Sequence, residues 1–269
     1  MSGFATRFGR CLVLGGAWTV LGFLVLPMII VFPVSLTDQY YLSLPRETLS
    51  LRHYAALVGK PIWISAGLQS LVVAVASTAA AVVLGALCAI GCWRLATRLS
   101  ETARAFMLLP IIVPAIVQGM AMYRFWIDLG LIDTYLGTIL AHTIVGLPYV
   151  VITVSASLAN FDVRQEQAAR GLGASMGQTI RWVIVPGIMP GLLSGALFAF
   201  THSFDEIVLV LFLTSRKIYT LPKRIWDGIE DHVDPTIAAV ATLLIATTFL
   251  LLLADLLYRR HRARRAASP

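Results

Sequence analysis

Six long apolar runs dominate this chain, and short polar segments separate them. Each run reaches roughly 20 or more residues, the length that an α-helix needs to cross the hydrocarbon core of a bilayer. The predicted spans are residues 11–36, 64–92, 105–126, 134–158, 186–212 and 235–258. Because backbone polar groups inside a bilayer must be bonded within the protein, such runs fold as helices. The sequence therefore predicts an all-α polytopic membrane protein, with six transmembrane helices in one domain covering residues 1–269.

The first run could instead be a cleaved signal peptide, because it follows a short arm that contains Arg7 and Arg10. The apolar core of a signal peptide has only about 7–15 residues. The run here is longer and is interrupted by Pro27 and Pro33. We therefore interpret it as an uncleaved first span.

The basic residues predict the orientation of the chain. Hydrophobic residues make up 58% of the sequence and charged residues 13%, whereas soluble proteins have about half and about a quarter. The net charge of +7 could indicate nucleic acid binding, but most basic residues flank the spans on one side. That side carries Arg7, Arg10, Arg94, Arg98, Arg104, Arg164, Arg170, Arg181, Arg259, Arg260, Arg262, Arg264 and Arg265. The positive-inside rule makes it cytoplasmic, which predicts cytoplasmic termini and a tail that contacts anionic lipid, with no nucleic acid partner.

Residues 160–185 form the one long polar segment with internal order in this apolar sequence. Asp162 with Gln165, and Ser175 with Gln178, have the spacing of a capping box at a helix N-terminus. A glycine between the two boxes can take the positive φ that commonly ends a helix. The pattern predicts a tight helix-turn-helix. On capping chemistry alone, an ordinary surface loop between two spans is the alternative.

This segment resembles the EAA loop of ABC importer permeases, in which Glu-Ala-Ala is followed at fixed spacing by Gly and by Ile-x-Leu-Pro. The matching positions are Gln167, Ala168, Ala169, Gly173, Val183, Val185 and Pro186. The sequence departs from the pattern at Gln167, which replaces the glutamate, although Glu166 stands one residue earlier. In that family the loop inserts into a cleft of a separate ATPase subunit, which binds ATP and Mg²⁺. The resemblance assigns ATPase coupling to Glu166, Gln167, Ala168, Ala169, Leu172, Gly173, Ala174 and Pro186.

No motif for catalysis is present in the sequence. It lacks the G-x-x-x-x-G-K-[ST] phosphate loop, any Ser/His/Asp arrangement and any H-E-x-x-H pair. Cys88 and Cys92 share a helix face, but no histidine or carboxylate nearby in sequence completes a metal site. We therefore predict a non-catalytic subunit without a cofactor or metal of its own, with ATP hydrolysis on a partner.

Asp205 and Glu206 lie in the fifth apolar run, about one turn after His202. An unpaired carboxylate at mid-bilayer costs roughly 2.5–3.5 kcal/mol, so both carboxylates must face protein or water. One interpretation is that these three residues line a path for a cationic solute. The alternatives are a structural ion pair with Arg124 or Arg216, or wetting from the outer side.

Prolines and a histidine mark two other spans. The third span contains Pro110 and Pro114, which predict a kinked helix beside the solute path. The fourth contains His142. For this residue, a neutral ring bonded to a carbonyl or hydroxyl across the bundle is favoured over a proton relay.

A second resemblance narrows the family. The stretches SFDEI, TLPKRIWDGIEDHVDPTIAAVATLLI and AHTIVGLPYVVITVSASL resemble the inner-membrane permeases of spermidine/putrescine importers. This resemblance implies the type I ABC importer permease fold in the bacterial inner membrane. It also implies a second permease subunit, homologous or identical, together with ATPase subunits and a periplasmic solute-binding protein. Loop 214–234 would then be periplasmic and contact that binding protein through Tyr219, Trp226 and Asp227.

The sequence thus predicts a permease subunit that moves a small cationic solute, most simply a polyamine, by alternating access coupled to the ATPase. An amino-acid-like cargo is the alternative within the same family. An ion-driven secondary transporter usually contains a repeated half, which is not visible here. A membrane scaffold without transport is the third class.

Overall fold

The structure is a computed structural model that describes residues 2–46, 48–231 and 234–266, and every regular element in these ranges is helical. The helices are α1 Ser2–Ser35, α2 Arg52–Gly59, α3 Pro61–Leu95, α4 Arg98–Ile112, α5 Ala115–Asp128, α6 Tyr135–Ala159, α7 Val163–Gly171, α8 Met176–Thr179, a π-helix Ile180–Ile184, α9 Val185–Gly187, α10 Met189–Asp205, α11 Val208–Leu213, α12 Leu221–Asp231 and α13 Thr236–Ala266. The side chains of the tail arginines lie outside the described residues, so their contact with lipid stays a prediction.

In the part of the chain that the structure describes, four helices are long and apolar enough to cross a membrane, namely residues 13–35 of α1, all of α3, all of α6, and residues 236–258 of α13. Two further stretches reach that length only when a bent pair counts as one span. These pairs are α4 with α5, bent by 107°, and Met176–Gly187 with α10, bent by 71°. The described residues therefore contain four single candidate spans, or six if each bent pair is one span, which is consistent with the six predicted spans.

The third predicted span is broken where the sequence indicated a kink. Val113 is extended, with φ −78° and ψ 129°, because the ring of Pro114 disfavours helical geometry in the residue before it. Gln118 Nε2 donates to the carbonyls of Pro110 and Val113, both at 2.7 Å. The side chain thus satisfies carbonyl groups that the break would otherwise leave without a donor.

The helix in the fifth predicted span ends at Asp205. Glu206 is extended, with φ −72° and ψ 112°, and its Oε1 accepts a hydrogen bond from Leu209 N at 3.1 Å. A carboxylate that binds backbone N–H groups locally competes with helix continuation. The expectation that Asp205 and Glu206 lie inside one helix over residues 186–212 is therefore wrong.

Residues 65–224 form one compact unit in which α6 packs extensively against α10. Two glycines of α10 make this contact close. A Cβ at Gly191 would lie 2.3 Å from Ser157 Oγ, and one at Gly195 would lie 2.5 Å from Thr153 Oγ1. Small residues allow such approach between membrane helices, where packing rather than hydrophobic burial drives association.

His142 is buried in the same unit and bonds across the bundle. Its Nδ1 lies 2.8 Å from the Ser203 hydroxyl of α10, which in turn lies 2.9 Å from the Ser77 hydroxyl of α3. The predicted bond between this ring and a hydroxyl group of a neighbouring helix is confirmed.

Residues 1–64 and 225–269 form the second compact unit. In it, α13 packs against α1 and α2. Ser35 Oγ and Tyr54 OH lie 2.7 Å apart and join α1 to α2. Most of the large apolar side chains of α1 from Val13 onward are exposed, as suits a helix that faces lipid.

Candidate functional site

Residues 162–187, which we call the α7–α8 hairpin, begin each of their first two helices with a side-chain cap. Ser175 and Gln178 form the predicted reciprocal capping box at α8. Asp162 caps α7 through the N–H of Arg164 at 3.0 Å, and the predicted capping box with Gln165 is not formed. Side-chain caps from residues close in sequence therefore define the N-termini of both α7 and α8.

The turn between α7 and α8 depends on a glycine. Gly173 has φ +89°, and no atom lies within 4 Å of the position that a Cβ would occupy. The requirement for glycine is therefore conformational rather than steric. Ala174 N donates to Ala169 O at 3.1 Å and closes the turn. Leu172, beside the glycine, is 90% exposed.

Most residues that the resemblance assigns to ATPase coupling lie on the surface of the hairpin. Ala169 and Ala174 are half-buried. The exposed members are Gln167, Ala168, Leu172, Gly173 and Pro186. An exposed leucine between small residues gives the tip a low-relief apolar surface, which is a feature of protein contacts.

Glu166 faces its own chain. Its carboxylate pairs with the guanidinium of Arg94 near the C-terminal end of α3, and only 12% and 20% of the two side chains are exposed. Adjacent helix positions point about 100° apart, so Glu166 and the exposed Gln167 face different directions. Glu166 is thus a link between α7 and α3 and is not presented at the tip.

Aromatic packing holds the two ends of the hairpin beside the same end of α3. The Trp93 and Phe161 rings meet edge to face, with centroids 6.0 Å apart. A Cβ at Gly187 would lie 2.6 Å from the Phe161 ring. Phe161, just before the hairpin, therefore packs against both Trp93 of α3 and Gly187, the last residue of the hairpin.

A cavity of about 170 Å³ is lined by residues at two helix breaks, the one between α4 and α5 and the one between α10 and α11. Its polar lining consists of Gln118, Tyr149, His202 and Glu206, and the other lining residues are apolar. Two of the three residues predicted to line a solute path therefore meet here. Asp205 does not line the cavity and is exposed at the end of α10.

Among the described residues, Glu206 is the one carboxylate in the cavity wall, and it is 8% exposed. Its Oε2 lies 3.9 Å from His202 Nε2, and the His202 ring meets Tyr149 at 5.0 Å between centroids. Arg124 pairs instead with Asp128, at 2.8 Å. Within the described part of the chain, no ion pair joins Glu206 to an arginine, so the structural pair considered from the sequence is not formed.

Sequence reasoning did not identify Gln118. It lies in the first helical turns after Pro114, within an otherwise apolar run, and this isolated amide was the available signal. Its Nε2 bonds fix the side chain beside the break, while Oε1 is buried without a partner among the described residues.

Asp133 fixes the segment that follows α11. Its carboxylate accepts hydrogen bonds from the N–H groups of Ser215, Arg216, Lys217 and Ile218, at 3.0–3.2 Å. Burial opposes ionisation, but these donors outweigh it and hold the pKa of Asp133 well below its usual range. The carboxylate is therefore charged and holds this segment in place.

Tyr219, predicted to contact a binding protein, is half-buried. Its N–H donates to Gln69 Oε1 at 2.8 Å, and its ring faces Lys223 Nζ at 5.2 Å and the Arg224 guanidinium at 5.8 Å. Burial lowers the pKa of Lys223, although the nearby Asp133 charge opposes the shift. Much of Tyr219 is thus engaged within residues 65–224.

Trp226 and Asp227 belong to the other compact unit and lie on α12, a helix within what the sequence indicated was a plain loop. Trp226 is 41% exposed and Asp227 is half-buried. Residues 232 and 233 of the predicted loop lie outside the described residues.

Comparison with known proteins places the chain in a family. Residues 81–266 match the family described as binding-protein-dependent transport system inner membrane component. The spermidine/putrescine transport system permease protein PotC of Haemophilus influenzae is 30% identical over 245 residues, which cover 91% of this chain and 95% of that protein. The putrescine transport system permease protein PotI of Escherichia coli is 30% identical over 207 residues, covering 73% of this chain and 72% of that protein.

A solved structure shows the same fold. A bacterial ABC transporter involved in the import of the acidic polysaccharide alginate contains a chain that superposes with a TM-score of 0.66, at 14% identity, over 94% of this chain and 97% of that one. The resemblance inferred from sequence motifs is confirmed, as is the all-helical membrane fold. This chain belongs to the family of binding-protein-dependent transport system inner membrane components, the permease subunits of ABC importers.

Proposed function

We propose that this subunit imports a polyamine across the inner membrane, driven by a separate ATPase that binds ATP and Mg²⁺. In this proposal it works beside a second permease, homologous or identical, and receives the solute from a periplasmic binding protein. Both termini and the α7–α8 hairpin are cytoplasmic, as the distribution of basic residues indicates. The chain itself is not catalytic.

The observation that carries the proposal is the α7–α8 hairpin. Its tip is exposed, and its base is fastened to α3 by the Glu166–Arg94 pair and the Trp93–Phe161 contact. Such an element can transmit movement of a partner to a membrane helix, because it is free at one end and fixed at the other. We propose that Gln167, Ala168, Leu172 and Gly173 contact the ATPase. Glu166, Ala169 and Ala174 support that surface from within the hairpin, and the exposed Pro186 belongs to the same coupling element.

Polyamine is the proposed cargo because both polyamine permeases named above match most of this chain. The anionic cavity at the helix breaks supports a cationic solute. We propose that His202 and Glu206 line the path through this cavity, and that Asp205 contributes from the exposed end of α10. Trp226 and Asp227 on α12, and separately Tyr219, are proposed contacts for the binding protein.

Cells that lack this chain are expected to lose accumulation of radiolabelled putrescine and spermidine. Cells that lack only the partner ATPase should show the same loss, because the solute cannot be driven without nucleotide hydrolysis. Uptake that survives removal of the ATPase but collapses with the ion gradient would indicate a secondary transporter instead. Normal polyamine uptake, with loss of another solute, would refute the proposed cargo.

Replacing Gly173 with valine is expected to lower uptake several-fold. Left-handed backbone costs an L-residue roughly 1–2 kcal/mol, and more for a β-branched one, so the turn would shift and displace the exposed tip. Uptake and ATP hydrolysis of the reconstituted importer measure the effect. Gly177→Val is the matched control, since Gly177 is a helical residue with no atom near its Cβ position. If the two substitutions lowered uptake equally, the positive φ of Gly173 would not be what coupling requires.

A further inference from the structure

We propose that the cavity at the two helix breaks is a binding site for one protonated primary amine of the cargo, held by Glu206 and Gln118. This inference rests on the proposed cationic solute and names the groups that recognise it. Two residues with unfilled hydrogen-bonding capacity line the same cavity, and they come from different broken helices.

The sign of the charge that this site favours is set by Glu206. Each break brings one helix C-terminus and one helix N-terminus to the cavity, so their partial charges are opposite in sign and oppose each other. The Glu206 carboxylate is the acidic group that remains, and it makes the site suited to a cation. Only one of its oxygens is used by the backbone, where Oε1 accepts from Leu209 N at 3.1 Å.

The second oxygen is available for a cation. Glu206 Oε2 lies 3.9 Å from His202 Nε2, beyond hydrogen-bond length. No lysine or arginine in the described ranges forms an ion pair with Glu206. A buried carboxylate that has only a histidine at 3.9 Å, and no lysine or arginine, as a basic neighbour is poorly compensated, and a bound ammonium group would supply a permanent cationic partner.

Gln118 adds a neutral acceptor. Its Nε2 donates to the carbonyls of Pro110 and Val113, both at 2.7 Å, so both amide hydrogens are used. Oε1 is the remaining polar atom, and it is buried with no partner among the described residues. An acceptor in this position calls for a donor that the chain does not provide.

The size and walls of the cavity suit the end of an aminoalkyl chain. Its volume is about 170 Å³, and a cavity of about 150 Å³ holds a benzene-sized group. Apolar side chains, including Ile111, Val145 and Leu209, cover much of the wall and would contact methylene groups. The Tyr149 ring also lines the site and can interact favourably with a cation.

A primary ammonium group has three N–H donors, whereas a quaternary ammonium has the same charge and none. If Glu206 and Gln118 recognise the group by hydrogen bonds, the site must distinguish the two. The wild-type permease complex in nanodiscs, without its binding protein, should bind 1,4-diaminobutane at least tenfold more tightly than its bis-trimethylammonium analogue. Equal affinities would overturn the hydrogen-bonding assignment without any substitution having been made.

Substitutions test the two residues directly. Glu206→Gln is expected to weaken binding of 1,4-diaminobutane at least tenfold, and Glu206→Asp less. Gln118→Met should weaken it several-fold and reduce the preference for the primary amine. Asp128→Asn is the matched control, because it removes one carboxylate that is exposed and paired with Arg124 outside the cavity.

The outcomes separate this inference from the proposed function. Normal affinity in correctly folded Glu206→Gln, or an equal loss in Asp128→Asn, would overturn the site while polyamine import could stand. If the wild-type complex binds and imports no amine, both the cargo and the site are refuted. If Glu206→Gln does not fold, the comparison of the two ligands on the wild-type complex still tests whether the site recognises the primary amine by hydrogen bonds.

Discussion

Replacing Arg94 with glutamate is expected to abolish ATP-driven uptake, because it would set a second carboxylate against Glu166 at the base of the α7–α8 hairpin. In the native chain these two side chains form an ion pair and are only 20% and 12% exposed. Exposed pairs contribute about 0–1 kcal/mol, whereas breaking a buried pair costs about 3–5 kcal/mol. The cost of breaking a half-buried pair lies between these two values. Reversing one charge costs more, because it adds repulsion to the loss of attraction.

The expected defect is in coupling and not in membrane insertion. The hairpin helices begin with their own caps, and the core of residues 65–224 does not include Arg94. The variant should therefore be present in the membrane at near-normal level. Reconstituted with its partners, it should hydrolyse ATP while solute uptake falls tenfold or more, since the tip would move without moving α3.

A charge swap provides the decisive comparison. Adding Glu166→Arg to Arg94→Glu restores an ion pair of opposite polarity and should recover a substantial part of the uptake. Arg98→Glu makes the same change of net charge on an exposed arginine at the start of α4 and should have little effect. Uptake that persists in the Arg94 variant, or a swap that rescues nothing although the protein is folded, would contradict the proposed linkage.

Features that depend on local chemistry could be predicted from the sequence. The Ser175–Gln178 box and the positive φ of Gly173 follow from residue types a few positions apart. The partner of Glu166 could not be predicted in this way. Arg94 lies 72 positions earlier in the chain, and only the packing of α7 on the end of α3 brings the two charges together.

The cavity at the helix breaks could be predicted from the sequence only in part. Pro114 indicated a distortion, but proline chemistry alone does not set a bend of 107°. The interruption after Asp205 has no proline signal, because it arises where the Glu206 carboxylate binds a backbone N–H. For the same reason, the sequence placed Asp205 and Glu206 together, whereas the structure exposes the first and buries the second.

Asp133→Asn is expected to loosen the segment from Ser215 to Ile218 strongly, although the two side chains have almost the same shape. Both carboxylate oxygens of Asp133 accept backbone N–H groups. In asparagine one of these oxygens becomes an NH₂ group, which would face donors instead of accepting from them. Hydrogen bonds to a charged acceptor contribute about 1.5–3 kcal/mol each, and they share two oxygens here.

A total loss of about 3 kcal/mol corresponds to roughly a hundredfold faster exchange of the four amide hydrogens. Hydrogen exchange of the wild-type and variant complexes measures this rate directly. Asparagine also tolerates the left-handed backbone that Asp133 adopts, with φ +55°, so the substitution tests the charge and not the conformation. Asp128→Asn, which breaks only an exposed i,i+4 pair, should leave exchange of this segment unchanged.

The pH dependence of the same measurement separates charge from shape. The pKa of Asp133 is lower in the folded chain than its unfolded value of about 3.9. The carboxylate therefore stabilises the segment fully above about pH 4, and this stabilisation is lost as the pH falls toward the folded pKa. The difference between wild type and Asp133→Asn should stay constant from about pH 8 to about pH 5 and shrink below about pH 4. A difference that persists unchanged in acid would mean that the shape of the side chain, and not its charge, holds the segment.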